Sequence, residues 1–178
     1  MTIQKGERWM DCGGNVGAFA LLACSKGAKV TVYEPDPFNV RMIEKNLKLN
    51  GFDAEVKQAA LVHDETRSVT LFIGNNNNVW RNSIIKRWND KGIKVPAVKF
   101  DTEAANHDCC KMDIEGAEMP ILERTRTTFQ KMVYEWSFDI DPSLSRLWRL
   151  VERQQEQYRV EAAYSTFRFK RRDYEQWQ

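Results

Sequence analysis

Asp11, Glu34, Asp113, Glu115 and Glu135, together with Gly13, Gly14 and Gly17, are the residues whose types and spacing could do chemistry in this 178-residue chain. Asp11 closes a short apolar run, and the glycines follow it as a turn. A helical stretch from Ala18 to Cys24 comes next and is stopped by Gly27. A second strand, Lys29 to Tyr33, then ends in Glu34. Strand, glycine turn, helix, strand, acid is one half of a nucleotide-binding unit. The glycines let the backbone approach a ligand and present N–H groups at a helix N-terminus. Glu34 can accept both hydroxyls of a ribose. Further on, Asp113, Glu115 and Glu118 crowd one short segment, and Glu135 ends the next apolar run. Carboxylates delivered by strand ends suit proton transfer.

The turn argues for one kind of ligand. The dinucleotide fingerprint G-x-G-x-x-G needs a glycine at position 12, which is Cys12. The chain reads Asp11-x-Gly13-x-Asn15-x-Gly17 instead. An acid before the turn would repel a pyrophosphate and suits a cationic ligand, such as the amino-acid end of S-adenosylmethionine (SAM). Each candidate also has a structural reading. Asn15 could cap the helix, and Asp36 before Pro37 could cap the next one. Asp36 and Phe38 could equally flank an adenosine. Ala60 and Leu61 either wall an adenine or pack in the core. Acids favour a helix N-terminus, which accounts for Glu118 well and Asp113 poorly. Lys111, unusual in an apolar strand, either pairs with an acid or contacts substrate.

The elements that must position these residues alternate. Phe38 to Asn50 has helical spacing, with Val40, Ile43 and Leu47 on one face. Strands are expected over Ala54–Val62, Ser68–Ile73, Asp108–Met112 and Met132–Trp136, and Val95–Phe100 is a further apolar stretch that ends at Asp101. A helix holding Ile114, Ala117, Ile121 and Leu122 should follow Asp113. Asn75 to Asn78 reads as a polar connection, Leu144 to Gln157 as a helix and Val160 to Phe169 as a closing hairpin. This order implies an α/β doubly wound sheet, with the ligand beyond the carboxyl ends of the strands where their order reverses. Asp11 and Asp113 should both face that cleft. With no repeat and no linker, residues 1–178 are expected to form a single domain.

Composition sets bounds. Hydrophobic residues make up 42% and charged residues 29%, and the net charge of +2 gives no argument for nucleic acid. The basic Lys170-Arg171-Arg172 reads as a solvated face. No apolar run approaches the roughly 20 residues that span a bilayer, and MTIQKGERW lacks a signal-peptide core. A cytoplasmic chain is the expectation. The four cysteines, Cys12, Cys24, Cys109 and Cys110, form no C-x-x-C and are expected to be buried reduced thiols. With two histidines in the chain, no histidine-rich metal site is expected.

The segments DCGGNVGAFA, EPDP and KMDIEGAE resemble the FkbM-type SAM-dependent methyltransferases. Trp80-Arg81-Asn82-Ser83 stands where members of that family often have a tryptophan and a serine. Gly14 replaces a common alanine, a difference expected to matter little. The resemblance implies a Rossmann-like class I methyltransferase fold, with a seven-stranded sheet in the order 3-2-1-4-5-7-6 and strand 7 antiparallel. It implies SAM held by Asp11, Gly13, Asn15, Gly17, Phe19, Glu34, Pro35, Asp36, Ala60 and Leu61. It also implies O-methylation of a hydroxyl, on a sugar of a glycan or glycosylated natural product rather than on nucleic acid. Asp113 is the leading general base, with Glu115 and Glu135 behind it. These acids could alternatively hold a divalent cation. Family members usually carry segments upstream of the first strand, so a domain of a larger protein is one expectation and a minimal enzyme another. Two other classes stay open. An NAD-type dehydrogenase is disfavoured by Asp11 and Cys12; a non-catalytic SAM-binding module would keep the pocket without turnover.

Overall fold

The computed structural model describes residues 2–74, 81–87 and 90–158. In chain order the elements are β1 (Arg8–Cys12), α1 (Ala18–Ser25), β2 (Lys29–Tyr33), α2 (Pro37–Leu49), β3 (Glu55–Lys57), β4 (Ala60–Val62), β5 (Ser68–Phe72), β6 (Gly92–Lys99), α3 (Phe100–Ala104), β7 (Cys109–Met112), α4 (Glu118–Leu122), β8 (Lys131–Tyr134) and α5 (Leu144–Gln155). They fall into two units, Met1–Ser143 and Leu144–Gln178. The described part of the second unit contains α5, with Leu150 buried and Trp148 exposed.

Five strands of the first unit form a parallel sheet in the order β3-β2-β1-β7-β8. This is the 3-2-1-4-5 part of the expected order. β1, in the middle, is buried at four of its five positions, as a strand covered on both faces must be. One face packs Trp9, Val30, Val32 and Cys109 against Ala20 and Ala23 of α1 and Ile43 and Leu47 of α2. Both helices stop on a glycine: Gly27 and Gly51 have φ of 79° and 69°. Ala28 N and Phe52 N reach back to Ala23 O (3.1 Å) and Leu47 O (3.0 Å) in Schellman closures. The closing hairpin at 160–169, strand 7 and the polar loop at 75–78 lie outside the described residues.

Three expectations are corrected. The single strand over 54–62 breaks into β3 and β4, where Ala59 N bonds Lys57 O (3.0 Å). β4 leaves the main sheet and joins a second one, β4-β6-β5, parallel to β6 while β5 is antiparallel. An unexpected short helix, α3, follows β6 directly, burying Phe100 and Ala104 one turn apart. The helix after Asp113 shrinks to α4, because Glu115 and Gly116 both have positive φ (53° and 102°) and make a turn first.

Register then lines up the chain exits. Cys12 pairs with Tyr33 on one side and Met112 on the other, and Met112 pairs with Tyr134. The next residues continue the ladder: Gly13 N bonds Tyr33 O (2.9 Å), Asp113 N bonds Cys12 O (3.0 Å) and Glu135 N bonds Met112 O (2.9 Å). Glu34, Gly13, Asp113 and Glu135 thus leave the same edge of the sheet in adjacent positions.

Candidate functional site

Above that edge lies a cleft of about 60 Å³. Gly13, Asn15, Glu34, Pro35, Asp113 and Glu115 line one part of it; Ala60, Leu61, Leu71 and Ile84 give it apolar walls. Leu71, Asn82 and Ile84 come from β5 and the segment after it, where no motif pointed to them. Their only sequence signal was the Arg81-Asn82-Ser83 stretch.

Glu34 is 5% exposed and works on the turn as well as the cleft. Its Oε2 accepts from Asn15 N (2.8 Å) and its Oε1 from Asp36 N (2.9 Å). The first bond helps hold Asn15 at a φ of 50°, where few residues other than glycine settle. Burial raises the Glu34 carboxyl to about 7, against the pull of those two N–H groups. Gly17, at φ 89°, starts α1.

Asp11 is placed otherwise than expected. It is fully buried and does not line the cleft. It stands opposite Lys111 in register, with Lys111 Nζ 3.2 Å from its Oδ1, and neither oxygen accepts a hydrogen bond from a described residue. Burial raises Asp11 to about 6, with Lys111 opposing. Burial alone would lower Lys111, but the charges of Asp11 and Asp113 outweigh it and leave its pKa raised. Because Lys111 balances the acid inside the sheet, the repulsion of a pyrophosphate argued from Asp11 loses its basis. Phe19 is also away from the cleft, its ring edge-on to Trp9 at 5.2 Å in the core. Asp36 caps α2 through Phe38 N (2.8 Å) and accepts from Asn82 Nδ2 (2.6 Å).

The acidic turn is held from several sides. Glu118, 2% exposed, folds back so that its carboxylate accepts from Ile114 N (2.6 Å) and Gly116 N (2.8 Å). It is thus a buried brace rather than a surface acid on a helix dipole, and burial raises it to about 7. Ser83 Oγ donates to Glu115 O (2.6 Å). Arg81 Nε donates to Glu115 Oε2 (2.9 Å) while its two other nitrogens grip Asp139 (2.6 and 2.8 Å). Burial raises Glu115 and Arg81 opposes it. Glu135 is exposed and outside the cleft lining, and partial burial with the charge of Asp113 raises it. Asp113 lines the cleft, and its carboxylate accepts no hydrogen bond from any described residue. Among the described residues, no group of three or more His, Cys, Asp or Glu is placed to hold a metal ion.

The model of the methyltransferase FkbM domain matches residues 11–160, which takes in every element of this cleft. The chain belongs to the FkbM methyltransferase family. No curated protein matches it by sequence. Among solved structures, it resembles the precorrin-6y C5,15-methyltransferase of Geobacter metallireducens (14% identity, TM-score 0.50, 90% of this chain and 68% of the other). It is also similar to a putative methyltransferase of Thermoplasma acidophilum (11% identity, TM-score 0.47, 94% and 63%). A third similar structure is the tRNA (uracil-54, C5)-methyltransferase of Pyrococcus abyssi in complex with S-adenosyl-L-homocysteine (16% identity, TM-score 0.39, 68% and 22%). The chain therefore spans less than a quarter of the length of the Pyrococcus protein.

SAM is the cofactor of this methyltransferase fold, and the cleft has the groups it needs. Glu34 would offer carboxylate oxygens to a ribose diol, Ala60, Leu61, Leu71 and Ile84 would give an adenine an apolar surface, and Asn15 and Asp113 would stand at the polar end. Of the cofactor set implied by the resemblance, Gly13, Asn15, Glu34, Pro35, Ala60 and Leu61 line the cleft, and Asp11, Gly17, Phe19 and Asp36 do not. Gly17 and Asp36 stand instead at the N-caps of α1 and α2.

Proposed function

We propose that this chain moves the SAM methyl group to a hydroxyl oxygen and that Asp113 receives the hydroxyl proton. One observation carries the reading: of the acids around the turn, Asp113 alone both lines the cleft and has a carboxylate free of protein hydrogen bonds among the described residues. Glu115 is taken by Arg81, and Glu118 by two backbone N–H groups.

SAM supplies an electrophilic methyl group on a sulfonium. The chain has to orient and to take a proton. Glu34, with the turn it fixes, would hold the ribose, and the apolar walls the adenine. Asp113 would accept the proton as the hydroxyl oxygen bonds to carbon. An aliphatic hydroxyl is weakly acidic, so a base at the transition state is worth about 10²–10⁴-fold in rate, on top of alignment. Family resemblance favours a sugar hydroxyl in a glycan or glycosylated natural product. The four unbridged cysteines favour a cytoplasmic setting. Other domains of a longer protein would be natural partners for acceptor selection.

The test is transfer from methyl-labelled SAM to a panel of free sugars, glycosides and oligosaccharides, beside phenols, small amines and RNA. Labelled sugar with the label at oxygen is expected. Transfer to RNA or amines alone overturns the hydroxyl assignment. Tight SAM binding without transfer to any acceptor, water included, favours a binding module.

A further inference from the structure

Lys111 is the one charged residue of β7, and nothing in the methyl-transfer reading uses it. It does not line the cleft, yet it touches what does. Its Nζ donates to Gly13 O (2.6 Å) and Cys12 O (3.4 Å), and lies 3.2 Å from Asp11 Oδ1. All three oxygens belong to the end of β1 and the turn after it.

The turn needs such an anchor. Gly13 and Gly14 stand in sequence with no side chain to hold the peptide between them, and Gly13 is already at φ 80°. Such a peptide flips at little steric cost. Its carbonyl is drawn toward β7 by Lys111, and its N–H, on the opposite side of a trans peptide, points to Tyr33 O at 3.4 Å. Asn15 N, one residue on, is aligned with Glu34. One ammonium thus sets the orientation of the backbone that meets the ligand.

We propose that Lys111 is a positioning residue for the cofactor, acting by fixing the Gly13–Gly14 peptide rather than only by balancing Asp11. The proposal rests on SAM occupying this cleft. The two roles separate because charge balance can be removed symmetrically. Asp11→Asn with Lys111→Met leaves no unpaired buried charge, so the sheet loses the pair but not its neutrality.

The experiment is calorimetric binding of S-adenosylhomocysteine to the parent, Asp11→Asn, and the double variant, with thermal melts of each. Binding to the parent is the control; its absence would refute the cofactor assignment and not Lys111. Asp11→Asn leaves the Lys111 ammonium without its carboxylate and should melt lower, but it keeps the bond to Gly13 O and should bind far closer to the parent than the double variant does. The double variant should melt cooperatively and bind at least about tenfold more weakly, the scale of one hydrogen bond to a charged group. Amide exchange at Gly14 and Asn15 should quicken while that of Trp9 and Met10 stays. A double variant with parent affinity overturns the proposal, as does Asp11→Asn losing as much as the pair. If the double variant does not melt cooperatively, Asp11→Asn with Lys111→Gln replaces it. There two neutral amides can bond across the strands, but the shorter stem withdraws its donor from Gly13. Weaker binding supports the proposal and parent affinity overturns it.

Discussion

The backbones of Gly13 and Asp113 meet across the sheet edge. A methyl group on Gly13 would stand 1.9 Å from the Asp113 carbonyl oxygen and 2.9 Å from its carbon. The residue that opens the glycine turn and the residue proposed to take the proton are thus fixed to each other by main chain. Gly13→Ala meets backbone, which cannot swing aside, and also strains a φ of 80°. It should destabilise the fold by about 2–4 kcal/mol and abolish S-adenosylhomocysteine binding. Urea melts and calorimetry on the variant check this; a Gly13→Ala protein with parent values would show that the two exits are further apart.

Gly14 gives a second steric prediction. The family resemblance allowed alanine here, but in this chain an added methyl would lie 2.3 Å from Val32 Cγ1 and 2.9 Å from Ile43 Cδ1. Val32 is fully buried and branched at Cβ, so it has little room to turn. Gly14→Ala should cost about 1–3 kcal/mol. Val32→Ala should relieve part of that cost, so a double-mutant cycle should show favourable coupling. Simple additivity would contradict the packing.

Glu34 should carry cofactor affinity. Glu34→Ala should weaken S-adenosylhomocysteine binding by roughly 1.5–3 kcal/mol, the worth of hydrogen bonds to a charged group. Burial holds the free carboxyl near 7, with the charge of Asp36 adding to it and Asn15 N, Asp36 N and Asn39 opposing. The ionised form is the better acceptor for two hydroxyls. Affinity should therefore climb as pH rises through about 7 and level off above it. Glu34→Gln should bind weakly with a flat profile; a parent profile flat from pH 5 to 9 would remove Glu34 from the linkage.

What the sequence revealed and what it concealed have the same cause. The alternation of strands and helices was legible because buried parallel strands are short apolar runs, and the glycine turn and Glu34 mark where two of them end; their order came from the family resemblance. The cleft position of Asp113 followed from the same logic. Asp11 defeated it because position along a strand does not say which face a residue takes or what lies opposite. Lys111 is a hundred residues away and meets Asp11 only through register. Phe19 sits in a segment shared with the family, but its helical phase sends it to Trp9. Glu118 read as a helix-dipole acid, since nothing local shows that its carboxylate turns back onto Ile114 and Gly116. The break between β3 and β4 is a tertiary choice, with Lys57 and Ala60 joining different sheets.

Glu118 makes the stability of the free protein depend on pH. Its folded-state carboxyl lies near 7, raised by burial from an ordinary 4.5. Between those values the folded chain keeps a proton that the unfolded chain has lost. The stabilisation is complete below about 4.5 and is lost as pH rises through about 7. Melting temperature should fall across that window, and Glu118→Gln, which keeps one acceptor for the two N–H groups, should reduce the fall. Glu34, shifted the same way, leaves a residual slope. A variant with the parent's full slope would show that Glu118 is ionised throughout.

Asp113 should matter to turnover and little to cofactor binding. It lines the cleft with Glu115, which Arg81 holds, and the turn it enters is braced by Glu118. Asp113→Asn keeps the shape and removes the proton acceptor. If Asp113 is the base, the rate should fall by about 10²-fold or more, with S-adenosylhomocysteine affinity nearly unchanged. If the acids instead bind a divalent cation that acidifies the hydroxyl, chelator should silence the parent and the variant should need more metal. Turnover and affinity of this one variant, each with and without chelator, separate the two mechanisms. Normal turnover by Asp113→Asn would exclude both. Glu115, once freed from Arg81, and Glu135 would then be the acids within reach of the same sheet edge.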